Sequence, residues 1–251
     1  MRCHMIFYND LAGENYARFI EYALKRSDAV MLVIYRQEVR FAEEDTRSDA
    51  EYLQQHLSAD PLKNIEQLYE KTAPHAISLE EMKELTMLFS APESDDPEVE
   101  KQRLLQERRK AKAQAQFIRE HALAFYDQLS RFMIKKRHNP IWPVTEMFSN
   151  NREHPSDFEI GIFKACEEIK PYLLKPGHLY GWDYQNYPDD IAFFKDHYCW
   201  FGLSRHEEYA IVYPSSQAEY DLFIDMGMQI ARPFHPTPKE KLFYEEYPIK
   251  S

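Results

Sequence analysis

PDDIAFFKDHYCWFGLSRHEEYAIVYP, residues 188–214, is the stretch that decides the fold class. Three short apolar runs, 191–195, 198–203 and 209–213, are joined by links of hairpin length, which predicts closely spaced strands. Asp196-His197 forms the first turn, although glycine is preferred at its second position. Strict alternation from Trp200 sends that ring to one face of the sheet and Cys199 and Phe201 to the other. Downstream, Ser216 and Glu219 stand at capping-box spacing, opening a helix that closes at Gly227.

Working outward, FEIGIF (158–163) alternates as a strand, and EEIKPYLL (167–174) reads as a short helix. Near the start, CHMIFY is a short strand, and ENYARFIEYALKR carries Tyr16, Phe19, Ile20, Ala23 and Leu24 on one helical face. AVMLVIYR follows at once, an unbroken apolar run that suits a strand covered on both faces. Helical segments DAEYLQQHL, NIEQLYEK and SLEEMKELTMLF come next. Asp96 caps a helix with Pro97 at its first position, and no breaker interrupts the chain from there to Arg137. Its apolar seam runs from Leu104 to Phe132, thin at Ala111 and Ala115, with Arg108 upon it. A monomer is favoured, with a dimer through this helix as the alternative. The fold class is therefore α+β, in three parts: an N-terminal α/β part over 1–93, a long central helix over 94–138, and a C-terminal α+β domain over 139–251. The proline-rich tail from Arg232 onward reads as an extended arm.

The string LYGW…YPDDIAFFKDHYCWF…HEE…IVY, with GENYARFIEYALKRSDAVMLVIYR near the start, resembles a family of uncharacterised Firmicutes-type bacterial proteins. Some of its members carry the label stage III sporulation protein. The resemblance implies an architecture and no activity, and this chain departs from the family pattern at His197, where a turn glycine is expected.

Composition narrows the function classes. A formal net charge of −11 disfavours general attraction to nucleic acid or anionic membranes and suits a basic protein partner. Three scattered cysteines without CxxC spacing indicate a reduced, cytoplasmic setting. No apolar run approaches a membrane span.

The chemistry-bearing residues gather around the opening stretch. His206-Glu207 lacks the second histidine four residues on that a zinc protease requires, because position 210 is alanine. Asp189 and Asp190 form a carboxylate pair whose simpler role is to turn the chain into the strand and bind backbone N–H groups. Cys199, mid-strand, reads as a small buried apolar group. Eleven aromatic residues lie between 180 and 213, enough to anchor a partner, but only Lys195 and Arg205 accompany them, too few for a single-strand binder. The expected groove is lined by Trp182, Tyr184, Asp189, Asp190, Trp200, His206 and Glu207, with no metal and no cofactor. The leading reading is a cytoplasmic, non-enzymatic module that binds another protein, an immunity protein facing a basic toxin being one form of it. The alternative is a hydrolase or metal-dependent enzyme built on His206, Glu207 and Asp189/Asp190.

Overall fold

A computed structural model describes residues 5–35, 45–57, 80, 83–84, 96–139, 158–196 and 198–230. Its elements are β1 (Met5–Phe7), α1 (Gly13–Arg26), β2 (Ala29–Tyr35), α2 (Asp49–Leu57), α3 (Pro97–Ile118), a π-helical turn (Arg119–Leu123), α4 (Ala124–Gln128), β3 (Met133–Asn139), β4 (Phe158–Lys164), α5 (Lys170–Leu173), β5 (Asp189–Lys195), β6 (Tyr198–Ser204), β7 (Tyr209–Val212) and α6 (Gln217–Asp225). The fold is α+β, as the strand spacing predicts. Among the described residues, seven strands form one sheet in the order β1-β7-β6-β5-β2-β4-β3, and every neighbouring pair is antiparallel. The predicted segments NIEQLYEK and the C-terminal arm lie outside the described residues, as does SLEEMKELTMLF apart from Glu80, Lys83 and Glu84.

The chain divides into two units, one of residues 1–39 and 116–251 and the other of residues 40–115. This is not the linear three-part division expected from the sequence. β1 and β2 pair with β7, β4 and β5, so the N-terminal part belongs to the same sheet as the C-terminal half.

In the larger unit, α1 buries the five residues of its predicted stripe, Tyr16, Phe19, Ile20, Ala23 and Leu24. β2 is apolar throughout because both of its faces are covered. Val30, Leu32 and Ile34 join the main core with α1, while Ala29, Met31 and Val33 join a second cluster with Ile160, Ile162, Phe194 and Cys199. Successive side chains of a strand point to opposite faces, so the two clusters lie on opposite sides of the sheet.

Two departures from the sequence reading have local causes. The central helix does not reach Arg137. It tightens into a 3-10 turn at Ser130–Phe132, and Met133–Asn139 become β3, paired along β4. Sheet pairing here overrides the helical propensity of Lys135-Lys136-Arg137, which local sequence alone cannot show. Secondly, β6 carries a bulge. Phe194 pairs with Cys199 and Phe193 with Phe201, so Trp200 is the extra residue and lies in the same core as Phe201. Only Cys199 faces the second cluster, with its Sγ donating to the Phe201 carbonyl at 3.0 Å.

Trp200 is 3% exposed. Its Nε1 donates to Ser27 Oγ at 2.9 Å, and the Arg26 guanidinium lies 4.1 Å from the ring centroid. Arg26 also pairs with the buried Glu219 at 2.5 Å, and Glu219 accepts from Tyr22 Oη and from the Ser215 backbone N–H. α6 is capped as predicted, the Ser216 Oγ accepting from the Glu219 N–H at 3.2 Å. The end of α1 is thus fastened to the start of α6 by a buried ion pair whose carboxylate also accepts from Tyr22 and Ser215.

In the smaller unit, a capping box between Ser48 and Glu51 starts α2. Asp96 starts α3, its carboxylate accepting from the Glu98 N–H at 2.9 Å. Arg108 lies on the predicted seam, while its basic neighbours Arg109, Lys110 and Lys112 are exposed. Arg108 itself is buried, with Nε 2.8 Å from Asp45 and Nη1 2.5 Å from Asp49, its guanidinium 4.7 Å from the Tyr52 ring centroid. The seam residue Leu104 is also buried within the chain.

Candidate functional site

The residues singled out by sequence separate into three places. Trp182 is fully buried, its Nε1 donating to Tyr16 Oη at 2.9 Å, and Tyr16 Oη donates to the Leu173 carbonyl at 2.6 Å. Burial pushes the Tyr16 phenol far above its usual range, so it remains a neutral donor. Tyr184 is half-buried beside the same core. Trp200 belongs to a different group of rings, with Phe19, Tyr22, Phe193 and Phe223 around it. Neither tryptophan is available to line a groove. Most of the aromatic density of the opening stretch is core.

Asp189 and Asp190 occupy the third place, at the head of β5. A second bulge sits here: Leu32 pairs with Ile191 and Val33 with Asp189, leaving Asp190 as the extra residue at φ 41°. A left-handed conformation is tolerated by aspartate better than by most residues and turns its carboxylate back toward the neighbouring strand. There it accepts from the Arg205 backbone N–H at 2.6 Å, while Asp189 accepts from the Asp190 N–H at 3.0 Å. Both carboxylates are buried. Burial pushes Asp189 up to about 7, the bond from Asp190 partly opposes that, and Asp183 adds a repelling charge. The Arg205 side chain bonds the Tyr180 carbonyl at 2.5 Å, and Tyr180 Oη donates to the Glu208 carbonyl at 2.6 Å. His206 and Glu207 are exposed in the turn from Arg205 to Glu208, where Glu208 adopts φ 53°. Glu207 bonds the phenol of Tyr209, which burial and that bond both push upward. The acid pair and the His206 turn are therefore neighbours through Arg205, but the acid pair is spent on backbone bonds. Among the described residues, no group of three or more His, Cys, Asp or Glu side chains is arranged to hold a metal ion.

A surface opening among the described residues lies elsewhere. A depression of about 390 Å³ is walled on one side by the π-helical turn and α4, through Glu120, His121 and Gln128. Lys175, His178, Asp183 and Asn186, from the segment between α5 and β5, form its other wall. Phe125 and Tyr187 meet edge to face across its floor, with centroids 5.1 Å apart. A π-turn inserts one residue into the helix, so Ala122 and Leu123, and then Phe125 and Tyr126, all turn into the core. Glu120, His121 and Ala124 are left exposed above them. Asp183 is held in place as a turn cap, its Oδ1 accepting from the Gln185 and Asn186 N–H groups at 3.0 and 2.8 Å. Of the residues expected to line a groove, none lines this depression, although Trp182 and Tyr184 flank Asp183 in sequence. Glu120 and His121 were invisible to sequence reasoning because they interrupt an otherwise regular helical pattern in which polar residues are unremarked. The one available signal was the polar and aromatic crowding of KPGHLYGWDYQNYP, residues 175–188.

No family model, no curated protein and no solved structure matches this chain. Among the described residues, no helix is long and apolar enough to cross a membrane.

Proposed function

We propose that this chain is a non-enzymatic module that binds another protein, and that the depression between the π-helical turn and residues 175–187 is where the partner docks. One observation carries the reading: this is a preformed concavity with an aromatic floor and polar walls, a form that receives a projecting side chain. The protein's acidity supports a basic partner, and its scattered cysteines, of which Cys166 and Cys199 are thiols, support a cytoplasmic setting. An immunity-type role against a basic toxin is one form of the same reading.

Ala124 is exposed on the wall of the depression, so Ala124→Trp fills it without disturbing the core. Affinity capture with wild type and with Ala124→Trp, read by mass spectrometry, tests the site. A partner held by wild type and lost by the filled variant supports the reading. Identical partner sets from the two proteins refute it.

A second reading, a hydrolase or metal-dependent enzyme using His206, Glu207 and Asp189/Asp190, draws support from Asp189 alone. A buried carboxyl held near 7 is suited to proton transfer. Elemental analysis separates the two, since close to one equivalent of zinc or manganese, lost on His206→Ala, would favour the enzyme.

A further inference from the structure

We infer that the side chain received by the depression is basic, an arginine of the partner presenting its guanidinium to Glu120 and Asp183. The inference rests on the docking reading above and adds the chemistry of the guest. Two features of the lining support it independently.

The first is a count of donors and acceptors. His121 Nδ1 lies 2.9 Å from the Phe117 carbonyl, which can only accept, so that nitrogen carries a proton. His178 Nδ1 lies 2.6 Å from the Asp10 carboxylate, which likewise places a proton on that nitrogen. The charged acceptors of the lining are the carboxylates of Glu120 and Asp183. Among the described lining residues Lys175 is the one formal cation, so the formal charge of the lining is negative. An acceptor-rich wall is complemented by a guest with many donors and no acceptor. Guanidinium has five N–H donors and no lone pair to leave unmatched.

The second feature is the floor. The chain's own Lys175 already holds its ammonium 5.4 Å from the Phe125 centroid and 5.1 Å from that of Tyr172. Of the floor rings, Phe125 thus presents a face that attracts a cation. Lys175 is exposed, and its nearest polar partner, Gln128 Oε1, is 3.4 Å away, so it is free to give up that place to a better-matched cation. An arginine stem would lie along Phe125 and Tyr187 with its planar head reaching the carboxylates.

The test is a titration of the full chain with N-acetyl-arginine amide, followed by the histidine ring and Asn186 side-chain NMR signals. N-acetyl-glutamate amide and N-acetyl-norleucine amide serve as probes of opposite and zero charge. The expected result is saturable binding of the arginine probe at roughly millimolar concentration, as befits a ligand of this size. Glu120→Gln, at an exposed position, is expected to weaken it by about tenfold. Asp183→Asn, which keeps the capping oxygen, is expected to act likewise. The inference is overturned if the acidic or apolar probe binds as well, if neither variant weakens the arginine probe, or if no probe saturates. Its failure is distinct from failure of the docking reading. A partner lost by Ala124→Trp without arginine binding would condemn only the choice of guest, whereas arginine binding with every partner retained would condemn only the docking reading.

Discussion

Replacing Asp189 with asparagine isolates the electrostatic cost of the bulge at the head of β5. The carboxyl is 5% exposed, and burial raises it from an ordinary 3.8 to about 7. A raised native value means that the folded state holds its proton over a pH range in which the unfolded chain has lost it. That contribution to stability is complete below pH 3.8, drains away as the pH rises toward about 7, and is gone above it. The interval is about three pH units at about 1.4 kcal/mol each, on the order of 4 kcal/mol in total. Asparagine keeps an oxygen for the Asp190 N–H and has no proton to lose. Urea unfolding of wild type and Asp189→Asn at intervals from pH 4 to pH 8 reads the effect. Exposed carboxylates such as Glu21, held down by its bonds to Lys25 and Lys170, slope the other way but are common to both proteins and cancel. The stability of the variant relative to wild type is expected to grow from pH 4 to about 7 and to level off above it. Parallel curves would refute the argument, because they would mean that Asp189 is solvated and ionised in the folded protein.

Three further outcomes follow from packing. Trp200→Ala should cost about 3–5 kcal/mol in denaturant midpoint measurements, since it empties the contact of α1 with α6; a loss below about 1 kcal/mol would place the ring outside the core. Gly161→Ala should cost about 1–3 kcal/mol, because the new methyl would overlap Tyr126 Oη and lie 2.7 Å from the Phe163 ring, and thermal melts should show Tyr126→Phe recovering part of it. Glu219→Ala should cost about 3–5 kcal/mol by leaving Arg26 buried without its carboxylate, and a double-mutant cycle with Arg26→Met should show strong coupling.

Local pattern carried the fold a long way. The stripe on α1, the two-sided apolar run of β2, the Asp96 and Ser216 caps and the β5–β6 hairpin could all be read from spacing and turn chemistry, and Asp196 at φ 48° supplies the turn geometry expected there. What stayed hidden was every feature created by a partner distant in sequence. Lys135-Lys136-Arg137 have nothing strand-like about them until β4 lies alongside. Alternation could not anticipate that Trp200 and Phe201 share a face, because a bulge is decided by two strands together. The site was legible only in part: the acid pair does bind backbone N–H groups as its residue types suggest, yet Trp182 and Trp200 were too well packed to form a groove. The depression depends on one extra residue in a helical turn, and no residue type in Arg119–Leu123 announces it.

The pairing of β2 also sets a timetable. Its neighbours in the sheet are β4 and β5, and Lys195, the last residue of β5, follows Tyr35 by 160 positions (195 − 35). At a synthesis rate of roughly 5–20 residues per second, the nascent strand waits about 8–32 s for its second edge to be made. Until β4 is made, AVMLVIY, seven residues without a charge or a proline, is a strand with both edges open, and until β5 is made it keeps one, the kind of segment that recruits its like from other chains. Folding that depends on such distant pairings is slow even once synthesis ends. A chaperone that holds residues 29–35 should therefore raise the yield of native protein during synthesis more than it raises the yield on refolding from dilute denaturant, where the whole chain is present from the start.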